Sequence, residues 1–211
     1  MPAMEETETT GLRERKKRRT REAIAAAAIE LFAERGFEAT TIADIAAAAD
    51  VAPRTFFAYF PSKESVVFHD VDALVAGLRE RLREREPGQD AIGALRDWLI
   101  ATIKELDFDD PLHEVRHRLI AENPSIAQYD SAKLREMGVV IAEAVAVDLG
   151  EEADALRPRL VAAAATALLA TLDDANEHPE AVALDDPELI ATLDEALGFL
   201  RAGIASFEPK G

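Results

Sequence analysis

The chain has 211 residues, enough for one or two domains with a sizeable core, and its 48% hydrophobic and 31% charged content is that of a globular protein and not of a disordered one. It has no cysteine, which excludes disulfides and cysteine-held zinc and fits a cytoplasmic setting. The net charge of −17 argues against nucleic acid until its distribution is read.

From Leu12 to Lys63 ten basic residues face seven acidic ones, a local balance of +3, so the remainder carries −20. A positive head on an acidic body can meet a phosphate backbone with one end only. No apolar run approaches the ~18 residues of a membrane span, and Met1 to Thr10 is too polar for a signal peptide. Alanine dominates the apolar set, which predicts an all-α fold, and the helices read along the chain number about nine.

Residues 1–11 read as a disordered tail. Leu12 to Arg21 holds seven of the ten basic residues and is placed to contact phosphates. From Thr20 the residues Ile24, Ala28, Leu31 and Phe32 share one helical face, and Arg35-Gly36 is a good stop.

Thr41 is an N-cap candidate, with Asp44 completing a capping-box pair. Ile42, Ile45, Ala46 and Ala49 then give a short helix with one buried face. Asp50 falls where the turn asks for positive φ. Pro53 suits the first position of the next helix, but Ala52 before it offers no side-chain cap. Phe56 and Phe60 face inward, while Arg54, Phe57 and Tyr59 fall on other faces. Pro61 ends this helix, and Ser62 is read as the cap of a helix running to Arg85. Lys63 on its first turn is expected to form an anion site with the free amides.

The segment GFEATTIADIAAAADVAPRTFFAYFPSKESVV, preceded by IAAAAIELFAERG, resembles the TetR family of bacterial regulators over about Leu12 to Val67. That resemblance implies a three-helix helix-turn-helix head (12–65, motif about 40–60) and a helical ligand-binding and dimerisation body (66–211). It implies phosphate contacts from Thr41, Tyr59 and Lys63, with Thr40 in the DNA-binding set, and base contacts from Pro53, Arg54, Thr55 and Phe57. Asp50 and Ala52 depart from the Gly and Ser common in the family. The phrase LIAENPSI also resembles the body of regulators linked to mycofactocin and acyl-CoA metabolism.

The body is expected to hold helices at 90–106, 111–122, 125–149, 153–176 and 187–207. Ala153–Asn176 and Pro187–Phe207 are the expected homodimer face, since small residues allow close helix approach. Trp98, Phe108, His113, His117, Tyr129 and Met137 are candidate pocket residues for an unknown small-molecule effector. The expected partner is double-stranded DNA, with no membrane partner and no cofactor.

One alternative is an enzyme. His113-Glu114-Val115-Arg116-His117 matches the bare HExxH pattern, which would make a helical metal-binding hydrolase of His113, Glu114 and His117. Arg116 beside it and the missing third ligand argue against that. No phosphate loop or nucleophile elbow is present, and the expectation is a regulator without a metal site or catalytic residues.

Overall fold

The computed structural model describes the backbone of residues 3–105, 111–176 and 187–206, and the side chains of 15–104, 115–171 and 190–206. The described residues form ten helices and no strand. They are α1 (Ala3–Arg35), α2 (Ile42–Ala48), α3 (Pro53–Phe57), α4 (Glu64–Val67), α5 (Val71–Arg83), α6 (Ala91–Glu105), α7 (Pro111–Glu122), α8 (Pro124–Leu149), α9 (Leu156–Asn176) and α10 (Pro187–Ala205). The chain divides into two compact units, residues 1–69 with 114–129, and residues 70–113 with 130–211.

In the first unit α1 buries Ile24, Ala25, Ala28, Ile29, Leu31 and Phe32. It begins at Ala3, so residues 3–11 are helical where the sequence suggested a disordered tail. Gly36, at φ +80°, closes it, and Phe37 folds back so that its ring centroid lies 5.0 Å from that of Phe32. A shift of partners occurs at α2. Asp50 takes φ 53° while its amide donates to Ala47 and that of Val51 to Ala46. This is a left-handed helix stop with aspartate in the place glycine usually fills. Phe56 and Phe60 are fully buried, whereas Ile42 and Val51 are only half-buried.

The long helix expected from Ser62 to Arg85 is interrupted. α4 ends at Val67, residues 68–70 turn, and α5 starts at Val71. The break coincides with a change in burial. Ser65, Val66, Val67 and Phe68 are all buried, so the chain is enclosed on every side there, while α5 buries only the stripe Val71, Val75, Leu78 and Leu82. Phe68 stacks on Tyr129, with centroids 5.2 Å apart. The N-cap of α4 is Lys63 and not Ser62, although the Ser62 hydroxyl accepts from the Ser65 amide at 3.3 Å.

In the second unit α6 packs on α5 and α10, and α10 also on α9. Ala91, Ile92, Leu95, Leu99, Val140, Ile141, Val145, Val161, Leu193 and Leu197 are buried there. Polar tips tie α5 to α8. Lys133 donates to Asp72 at 2.7 Å, Arg79 pairs with Glu143 at 3.4 Å, and Arg85 pairs with Asp148. Burial pulls the Lys133 ammonium down, but its bonds to Asp72 and Glu136 outweigh that and hold it above its ordinary value. The second oxygen of Asp148 accepts from the Ala91 amide at 2.6 Å, at the start of α6. Arg96 grips Asp194 with two nitrogens, and Arg201 reaches Asp90 at 2.7 Å. At the start of α8 the Asn123 carbonyl accepts from the Ile126 and Ala127 amides, with Pro124 at the first helical position.

Candidate nucleic-acid interface

The head's exposed end is built on caps. The Thr41 hydroxyl accepts from the Asp44 amide at 3.2 Å, and the Thr41 amide donates to the Asp44 carboxylate at 2.9 Å. The Thr41 hydroxyl and amide together hold the Asp44 carboxyl below its ordinary value. This fixes where α2 begins and leaves Thr41 exposed. α3 starts with Pro53 behind the uncapped Ala52. Pro53, Arg54 and Phe57 are exposed, and Thr55 and Tyr59 are half-buried. Phe57 is 56% exposed, and its ring meets Phe56 edge-on at 5.5 Å. The buried Phe56 thus steadies a large apolar ring in water, an arrangement that burial alone gives no reason for.

Beside α3 lies an open cleft of about 480 Å³, lined by Lys17, Arg54, Thr55, Ala58 and Tyr59. Two cations and a phenol around an open cleft suit a phosphate. Lys17 comes from the basic run of α1 and was not singled out by the sequence. Its signal is helical register, since it stands one turn before Arg21, whose guanidinium reaches the Tyr59 carbonyl.

Two residues expected at DNA have partners within the head. Thr40 is 1% exposed, and its hydroxyl is used inside, 2.9 Å from the Gly36 carbonyl and 3.3 Å from that of Leu31. Its side chain therefore closes the end of α1. Lys63 is half-buried, and its ammonium donates to the carbonyls of Phe37 at 2.6 Å and Thr40 at 3.0 Å, 4.0 Å from the Phe37 ring centroid. The four-residue α4 offers no anion site behind it. Arg21, counted with the phosphate-binding run, also turns inward. Arg15, Lys16, Lys17, Arg18 and Arg19 stay exposed.

Of the candidate pocket residues, half-buried Trp98 and buried Met137 belong to the second unit. Trp98 rests against Gly77 of α5. Half-buried His117 and Tyr129 belong to the first unit, where Tyr129 is engaged by Phe68. Phe108 and the side chains of His113 and Glu114 lie outside the described residues. Among the described residues no three His, Cys, Asp or Glu side chains gather as a metal would need, and no helix is long and apolar enough to cross a membrane.

Comparison with known proteins agrees with this geometry. Residues 24–69 match the family described as bacterial regulatory proteins, tetR family, and residues 89–205 match the MftR C-terminal domain. The second match bears out the mycofactocin-regulator part of the resemblance read from LIAENPSI. TcmR, an HTH-type transcriptional regulator of Streptomyces glaucescens, is 34% identical over 160 residues, covering 72% of this chain and 71% of TcmR. MftR of Mycobacterium tuberculosis, described as a mycofactocin biosynthesis transcriptional regulator, is 33% identical over 135 residues, 64% of this chain and 68% of MftR. Among solved structures, FadR of Thermus thermophilus, a transcriptional repressor in complex with lauroyl-CoA, is 28% identical with a TM-score of 0.54, covering 87% of this chain and 94% of FadR. None of these supports a metal hydrolase. With the helix-turn-helix, its exposed α3 and both halves of the sequence matched, the chain belongs to the TetR family and is a DNA-binding transcriptional regulator.

Proposed function

We propose that the chain is one protomer of a homodimeric cytoplasmic repressor that binds a palindromic operator and is released by a small molecule. The observation that carries the DNA-binding part is the exposed face of α3, where Arg54 and Phe57 project beside the Lys17–Tyr59 cleft. In this reading Arg54 and Phe57, with Pro53 and Thr55, meet base edges, and Lys17, Thr41 and Tyr59 meet phosphates. A guanidinium suits the two acceptors of guanine, and an apolar ring suits the methyl group of thymine. Two such heads would enter successive major grooves about 34–36 Å apart.

The dimer reading rests on an uncovered apolar stripe. On α9, Leu156, Leu160, Ala163, Ala164 and Ala167 are all exposed and recur at helical spacing. On α10, which packs against α9, Phe199 is 79% exposed. Water-exposed apolar area of this kind is characteristic of an interface between subunits. The effector reading rests on the MftR-type body and on FadR's complex with lauroyl-CoA, which makes an acyl-CoA the first class to try. A released state requires that the effector favour one conformation over the other.

The test is a gel shift with the DNA flanking the chain's own gene, run with the protein's oligomeric state measured alongside. A specific shift by a dimer, weakened by lauroyl-CoA, is the expected result. A folded dimer without a specific shift at moderate salt overturns the operator reading. A folded monomer overturns the dimer reading. A shift that lauroyl-CoA leaves intact removes the acyl-CoA class.

A further inference from the structure

Arg21 stands in the basic run of α1, yet its guanidinium points inward. Its Nη1 donates to the Tyr59 carbonyl at 2.9 Å and its Nε to the His69 carbonyl at 3.1 Å, and the group lies 4.5 Å from the centroid of Phe60. Both carbonyls sit where the helical ladder breaks. After Tyr59, Pro61 has no amide hydrogen to give, and the Ser62 amide turns to the Ser65 hydroxyl at 3.2 Å. After His69, the Ala73 amide donates to Asp70, one residue later than a continuous helix would require. The two breaks flank α4, with Phe60, Val66, Val67 and Phe68 buried between them. One guanidinium thus clips both ends of this segment to α1.

We propose that Arg21 is a positioning residue for DNA binding, tying the exit of α3 at Tyr59 to the α4–α5 break at His69. A displacement of the break at His69 is then felt at the exit of α3 through this side chain as well as through the chain itself. Arg21 itself touches no DNA; it acts through the Tyr59 backbone and the Phe60 ring. The planar fork of a guanidinium presents several donors in fixed directions and can hold two carbonyls at once. Arg21 meets the two carbonyls with two different nitrogens, Nη1 and Nε, set apart by the rigid plane of the group, and the single nitrogen of a lysine at this position does not reproduce both. The proposal rests on the head's binding DNA, and its test therefore has one arm without DNA.

In that arm, hydrogen exchange is followed on the full chain for segments 56–65 and 68–76 in wild type, Arg21→Lys and Arg21→Gln. Both segments should exchange severalfold faster in both variants, and together. In the second arm, operator affinity is measured against salt. Affinity should fall about tenfold in each variant, the scale expected for losing a charge-assisted hydrogen bond. The slope of log affinity against log salt should not change. A slope flattened by about one would make Arg21 a phosphate contact and overturn the proposal. So would acceleration of one segment alone, or Arg21→Lys behaving as wild type. Arg21→Lys keeps the charge over Phe60, so it decides the matter if Arg21→Gln does not fold. If wild type binds no operator, the operator reading fails, and the exchange arm still decides on Arg21.

Discussion

Lys63 and Thr40, 23 residues apart in the chain, are joined by a hydrogen bond of 3.0 Å from the lysine ammonium to the threonine carbonyl. With the second bond to Phe37, this pins the entry of α2 to the start of α4. Lys63→Met keeps an apolar stem over the Phe37 ring and removes every donor. It should cost the head about 1–3 kcal/mol, since charged donors satisfy these two carbonyls. The salt slope of operator binding should stay near that of wild type, whereas Lys17→Gln should flatten it by about one. Urea unfolding and a salt titration read the two effects. A Lys63→Met protein of full stability with a flattened slope would return Lys63 to the phosphate contacts.

Asp50 holds φ 53°, a region that costs most residues about 1–2 kcal/mol and glycine nothing. Asp50→Gly should therefore raise the stability of the head by up to about 1 kcal/mol, once glycine's greater unfolded freedom is subtracted. Asp50→Val should lower it. Thermal unfolding checks the order Gly, Asp, Val; a glycine variant less stable than wild type would show that the aspartate side chain contributes more than its backbone strain removes.

Arg54 and Phe57 predict a separation of binding from folding. Both are exposed, so Arg54→Ala should leave the melting temperature unchanged, and Phe57→Ala should cost about 1 kcal/mol or less, the worth of its edge contact with Phe56. For operator binding, Arg54→Ala should cost about 1–3 kcal/mol and relax preference at one base pair. Replacing each operator thymine by uracil removes only a methyl group. Wild type should lose affinity at one such position, and Phe57→Ala should not. Equal sensitivity of both proteins to every uracil would take Phe57 off the base-reading surface.

Acid should loosen the body through its carboxylates. The Arg96 guanidinium bonded to Asp194 holds that carboxyl below its ordinary value. Burial pushes Asp90 up, but the bonds from Arg201 and the Gly93 amide and the charges of Arg201 and Arg85 leave it lowered overall. A carboxyl lowered in the folded chain binds its proton more weakly than the unfolded chain does. Its contribution is complete above the unfolded value of about 4 and is lost as pH falls below it. Asp194→Asn should accordingly be less stable than wild type at neutral pH, with the difference shrinking below about pH 4. A difference that persists unchanged at pH 3 would mean that charge is not what the pair contributes.

The residues that could be read in the sequence act over a few positions. The Thr41–Asp44 box, the left-handed Asp50 and Pro53 without a capping partner each depend on neighbours within one helical turn. The residues whose partners could not be read act across the fold. Arg21 and Lys63 look like phosphate ligands because they are cationic, yet both are taken by backbone carbonyls, 38 and 26 residues away in the case of Tyr59 and Phe37. A carbonyl carries no mark of its partner in the sequence. Thr40 and Thr41 are adjacent and chemically identical, and only the end of α1 decides that one is buried. The break at 68–70 contains neither glycine nor proline. It lies where the enclosed Val66-Val67-Phe68 gives way to the one-sided stripe of α5.

The exposure of Phe57 has a kinetic side. An uncharged ring exerts no pull beyond contact distance, whereas the cations of Lys17 and Arg54 are felt across about a Debye length, roughly 8 Å at physiological salt. In the proposed complex the cations govern how often the head arrives, and the ring governs how long it stays. Salt would slow arrival and leave most of the ring's contribution in place, so residence time on the operator is where Phe57 would be noticed.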